Sequence, residues 1–164
     1  MKTLFLLRHA KASSDDPGLP DIERPLSDQG FSDARMMSET LRLQDLIPEK
    51  IISSNAVRAY TTAFIFAAAF EKMNHDIDRK NSLYDCSEKD YFDAITGIDE
   101  AFSSCMITGH NDTITQVAEL LLKKAVEPMK TCGLVIISSE SKTWSGFSAS
   151  PCKLVLNLYP SLLK

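Results

Sequence analysis

Thr3-Leu4-Phe5-Leu6-Leu7-Arg8-His9 is the stretch whose reading decides the fold. Thr3 to Leu7 is a short apolar run, read as a buried strand. It ends on Arg8 and His9, and the chain then turns away: residues 10–26 hold three prolines, Gly18 and several acids and read as a loop. Ser27 caps a predicted helix from about Asp28 to Asp45, where Phe31, Ala34, Met37 and Leu41 recur at helical spacing and Pro48 follows the end.

The same alternation continues to the C-terminus. Lys50 to Ser53 reads as a second strand. Asn55 is placed to cap a helix from about Ala56 to Lys72. That helix is apolar on every face, through Tyr60, Ala63, Phe64, Ile65, Phe66, Ala67 and Phe70, so it is either well buried or part of a contact surface. Asp76 to Asp78 is a brief strand, Ser87 to Ile98 a helix, and Cys105 to Thr108 a third main strand stopped by Gly109. A helix follows from Asp112 to about Ala125. Gly133 to Ser138 and Lys153 to Tyr159 are the last strands, joined by a hairpin connection through Trp144-Ser145-Gly146. Strands alternating with helices imply a mostly parallel sheet covered on both faces. The expectation is one α/β domain over 1–164, a three-layer α/β/α sandwich with an antiparallel pair at one edge.

Composition narrows the function classes. The chain has 164 residues, 44% hydrophobic and 24% charged, which suits one soluble domain with its own core. A net charge of -4 argues against non-specific binding to nucleic acid or an anionic membrane. Leu4 to Leu7 is too short for a signal-peptide core or a membrane span, so a cytoplasmic protein is expected. Cys86, Cys105, Cys132 and Cys152 form no C-x-x-C pair and lack metal-site spacing, so they read as reduced thiols.

In an open parallel sheet, ligands bind beyond the carboxyl ends of the strands. Arg8 and His9 follow the first strand. Ser53-Ser54-Asn55-Ala56-Val57-Arg58 follows the second, and Gly109-His110 the third. Three strand ends thus deliver two arginines and two of the chain's three histidines to one edge. Any one of these residues has an ordinary reading as a loop, cap or solvated helix residue; their shared placement does not. The set suits a phosphate. Arginine donates planar, charge-assisted bonds to its oxygens, a neutral imidazole can attack phosphorus, and flanking arginines keep that imidazole neutral.

Five blocks then carry a resemblance. They are Leu6-Leu7-Arg8-His9-Ala10-Lys11-Ala12, Glu23-Arg24-Pro25-Leu26-Ser27-Asp28-Gln29-Gly30, Ser53-Ser54-Asn55-Ala56-Val57-Arg58-Ala59-Tyr60-Thr61-Thr62-Ala63, Ser82-Leu83-Tyr84-Asp85 and Gly109-His110-Asn111-Asp112-Thr113-Ile114. In this order they resemble the histidine phosphatase superfamily, and most closely its short phosphohistidine phosphatases of the SixA type. The resemblance implies a phosphoglycerate mutase-like fold, no cofactor and no metal. It implies His9 as the phosphoryl acceptor, with Arg8, Arg58 and His110 completing the pocket and Arg24 assisting substrate binding. Asp85 falls where many relatives carry a general acid, and reads equally as a solvated turn residue. Two positions depart from the wider pattern: Ala10 replaces the usual glycine, and Asn55 the usual proline. The substrate implied is a phosphohistidine protein, with a small phosphoester as the alternative and a non-catalytic phosphate-binding module as a further one.

Overall fold

The computed structural model describes residues 1–164. Its elements are β1 (Lys2–Arg8), α1 (Asp28–Leu43), β2 (Lys50–Ser54), α2 (Val57–Ala69), β3 (Ile77–Lys80), α3 (Glu88–Thr96), β4 (Ser104–Gly109), α4 (Thr113–Leu122), β5 (Leu134–Ser139) and β6 (Cys152–Leu158). They form one six-stranded sheet in the order β3-β2-β4-β1-β5-β6. The first four strands are parallel, and β5 and β6 add the antiparallel edge.

Strand alternation builds two cores. Leu4 and Leu6 face one side of β1, where they join Ile107, Val135, Tyr91 and Ile95 of α3, and Ile114, Val117 and Leu121 of α4. Phe5 and Leu7 face the other, with Met106, Ile136, Met37 and Leu41 of α1, and Ala63 and Phe66 of α2. A strand apolar on both pleats is buried on both faces, which is why Leu4 to Leu7 carry no polar residue. The result is the expected three-layer sandwich.

Helix ends differ from the expectation in instructive ways. Ser27 does cap α1, accepting from the Gly30 N–H. Asn55 does not cap α2. The cap is Ala56, the Asn55 Oδ1 has no partner, and Ser54 Oγ accepts the Ala56 N–H at 3.3 Å. The helix starts one residue late because the turn is built by Ser54, one position earlier. α4 stops at Leu122, where Lys123 adopts a left-handed φ of 53° and closes the helix before Ala125. The apolar helix α2 buries Ala59, Ala63, Phe66 and Ala67 but leaves Phe64 exposed. The hairpin connection between β5 and β6 is packed rather than loose: Trp144 is fully buried, stacked on Phe147. No helix is long and apolar enough to cross a membrane.

Candidate active site

β1 and β4 are neighbours, with Arg8 paired to Gly109. The residues just past them, His9 and His110, therefore emerge side by side, with ring centroids 5.1 Å apart. Gly109 permits the turn because Tyr91 fills the space beneath it. A Cβ there would lie 1.8 Å from the Tyr91 hydroxyl oxygen, which itself accepts the His110 N–H at 3.1 Å. Arg58 arrives from the first turn of α2, behind β2.

The His9 ring is buried, and its Nδ1 lies 2.7 Å from the Ala10 carbonyl oxygen. A carbonyl only accepts, so Nδ1 carries the proton and Nε2 carries the lone pair. Arg58 Nε–H donates to that Nε2 at 3.4 Å. Burial is the main cause that pushes the His9 pKa down to about 3; it outweighs the Ala10 hydrogen bond and is joined by repulsion from the His110 ring when that is protonated and by the Arg58 and Arg8 charges. His9 is a neutral base at neutral pH with its free nitrogen turned towards a guanidinium. His110 is also neutral there, lowered to about 4 by burial and by Arg58. Its Nε2 lies 2.8 Å from Ser54 Oγ, and its buried Nδ1 has no protein partner.

Arg8 is anchored from the side, donating through Nη1 to the Met129 carbonyl at 2.7 Å, while its buried Nε has no protein partner. Arg24 sits one step out. It donates to the Ser13 carbonyl through Nε and Nη2, and pairs with Asp21 at 3.3 Å. The structure therefore brings Arg58, His9 and His110 together, with Arg8 on the same strand end, and gives Arg24 a bracing role in the loop. Asp85 stands apart. It is exposed, in a left-handed turn at φ 48°, and its carboxylate takes part in no hydrogen bond or ion pair. Its neighbour Tyr84 is the one that reaches the site, with its ring edge-on to His110 at 5.7 Å.

Sequence reasoning missed Ser54, Tyr84 and Asp21. Ser54 and Tyr84 lie inside quoted blocks, one residue from positions that drew attention. Asp21 lies in a proline-flanked loop with other acids, and only the folded chain shows which of them meets Arg58.

The profile of the histidine phosphatase superfamily (branch 1) matches residues 4–91, more than half of the chain. The chain belongs to this superfamily. An uncharacterised chloroplastic protein of Arabidopsis thaliana is 29% identical over 151 residues, 87% of this chain and 69% of that protein. Among solved structures, one from Agrobacterium tumefaciens assigned as the phosphohistidine phosphatase SixA has a TM-score of 0.84. It is 26% identical and covers 97% of this chain and 98% of that one. The protein histidine phosphatase SixA in complex with tungstate has a TM-score of 0.81 at 22% identity, over 99% of both chains, which speaks for the fold. The histidine phosphatase assignment makes the chain a hydrolase of phosphorylated substrates.

Proposed function

We propose that the chain is a metal-independent phosphatase that passes phosphoryl groups through His9, with phosphohistidine on a partner protein as its substrate. The observation that carries this reading is the tautomer of His9: Nδ1 is committed to the Ala10 carbonyl, and the lone pair at Nε2 faces the Arg58 guanidinium. A lone pair held there is aimed where Arg58 can bind a phosphoryl oxygen.

The steps follow from the residues. His9 Nε2 attacks phosphorus, the P–N bond to the substrate imidazole breaks, and the leaving nitrogen takes a proton from solvent. Water then attacks the phosphorylated His9, releasing inorganic phosphate and restoring the imidazole. Arg58 and Arg8 bind the oxygens through charge-assisted bonds, and His110 offers a further donor as charge develops. A phosphoramidate nitrogen is readily protonated, so the step needs no strong acid. This fits the solvated position of Asp85. Two guanidinium groups supply the positive charge that a metal would otherwise bring. The proposed compartment is the cytoplasm, where the four free cysteines stay reduced.

The test is turnover in the presence of a chelator, comparing a phosphohistidine protein with an aryl phosphate. Chelator-insensitive hydrolysis with the higher kcat/KM on the phosphohistidine protein is expected. A preference for small phosphoesters would move the assignment to a metabolite phosphatase. Loss of turnover with the chelator, restored by added metal, would contradict the mechanism.

A further inference from the structure

Arg58 is almost wholly buried, yet it meets one exposed residue through both of its terminal nitrogens. Its Nη1 donates to the Asp21 backbone carbonyl at 2.6 Å, and its Nη2 to Asp21 Oδ2 at 2.9 Å, closing an ion pair. The same Oδ2 accepts the Tyr84 hydroxyl at 2.9 Å, and Oδ1 meets Arg24 at 3.3 Å. A guanidinium has five N–H donors in a rigid plane. With both terminal nitrogens committed to Asp21, the remaining nitrogen, Nε, is the one that faces His9.

We infer that Asp21 is a positioning residue for the reaction: with Tyr84 as its brace, it sets the attitude in which Arg58 presents Nε to His9 and to the phosphoryl group. The assignment rests on Arg58 serving the phosphoryl site. A carboxylate beside a phosphate pocket has an opposite reading, as a built-in anion that substrate must displace. The bonding favours positioning. Asp21 takes one hydrogen from each terminal nitrogen, so Nε–H and two further N–H groups are left for an incoming oxygen. Nor does Asp21 suit an acid. Slight burial raises its pKa, but bonds from Arg58 and Tyr84, the Arg58 charge and a bond from Arg24 outweigh that and hold it at about 2. It is ionised throughout the working range and has no proton to give.

The two readings predict opposite signs. In Asp21→Ala the guanidinium keeps only the backbone bond and can swing. A charge-assisted bond lost at this site corresponds to roughly a 10-fold or greater fall in kcat on an aryl phosphate. Inorganic phosphate, measured as a competitive inhibitor, should bind more weakly as well. Asp21→Asn keeps an oxygen acceptor for Arg58 and should recover most of the loss, within about 3-fold of wild type. Melting temperatures of both variants should stay close to wild type, since the carboxylate is half exposed. Tighter phosphate binding or an unchanged kcat in Asp21→Ala overturns the inference, as does an Asn variant no better than Ala. A wild type that neither hydrolyses the aryl phosphate nor binds phosphate would overturn the functional reading, and this one with it.

Discussion

The role proposed for His9 depends on its protonation state, and its surroundings decide that state. Its ordinary pKa of 6.5 falls to about 3, and that of His110 to about 4. Two consequences follow. The acid limb of kcat/KM for the free enzyme should lie well below pH 6, because His9 keeps its lone pair down to much lower pH than a solvated histidine. Folding also becomes pH-dependent. The unfolded chain takes up a proton at each histidine as pH falls through 6.5, and the folded chain resists until about 4 or below, so stability is full above 6.5 and drains away beneath it. Asp21 does not oppose this, because its own window lies between its ordinary 3.8 and about 2. Urea unfolding at pH 7.5 and pH 5 should therefore show lower stability at pH 5. His9→Asn should flatten that slope. An equal slope in the variant would mean the imidazole is solvated.

The turn between β4 and α4 shows how an element delivers a histidine to the candidate site. Gly109 closes the strand against Tyr91, and the Tyr91 hydroxyl accepts the His110 N–H. Gly109→Ala would drive a methyl group to 1.8 Å from that oxygen, so the ring or the strand end must move. The expected cost is about 1–3 kcal/mol in stability, with a larger loss in kcat as His110 shifts. Adding Tyr91→Phe removes the nearest clashing atom and should restore part of the stability, read as a non-additive double-mutant cycle in thermal unfolding. Strict additivity would show that the packing here is looser than described. The elements themselves were legible in the sequence because each carries its period: two-sided apolarity in Leu4 to Leu7, helical spacing from Phe31 to Leu41, and the Ser27 cap. The strand-end histidines and arginines were legible by position along the chain. Partnerships made across loops were not. Asn55 looked like a cap by residue type, but the Ser54 hydroxyl takes that turn's amide. Asp85 read equally as an acid and as a solvated turn residue, and the fold places it exposed in a left-handed turn while its neighbour Tyr84 faces His110. Asp21 had no local signal at all, since its meaning comes from Arg58, distant along the chain.

At the scale of the molecule, the two ends of the sheet divide the work. The end where β1 begins is closed by Trp144, whose indole N–H donates to the Phe102 carbonyl at 2.9 Å beneath Lys2. The opposite end, where β1 and β4 finish, gathers His9, Arg58 and His110 under the 10–26 loop, which Arg24 and Asp21 tie down. Trp144 is thus a packing residue remote from the candidate site, whose side chains sit on rigid strand ends and a helix turn, where geometry is held closely. The proposed chemistry at that end runs through one nitrogen, His9 Nε2, which faces Arg58. The most direct measurement is to quench the enzyme rapidly during turnover of a phosphorylated substrate and map the phosphoryl group by mass spectrometry without exposure to acid. The account predicts an acid-labile phosphate on His9 alone, absent from His9→Ala. Label on His110, or turnover that persists in His9→Ala, would contradict it.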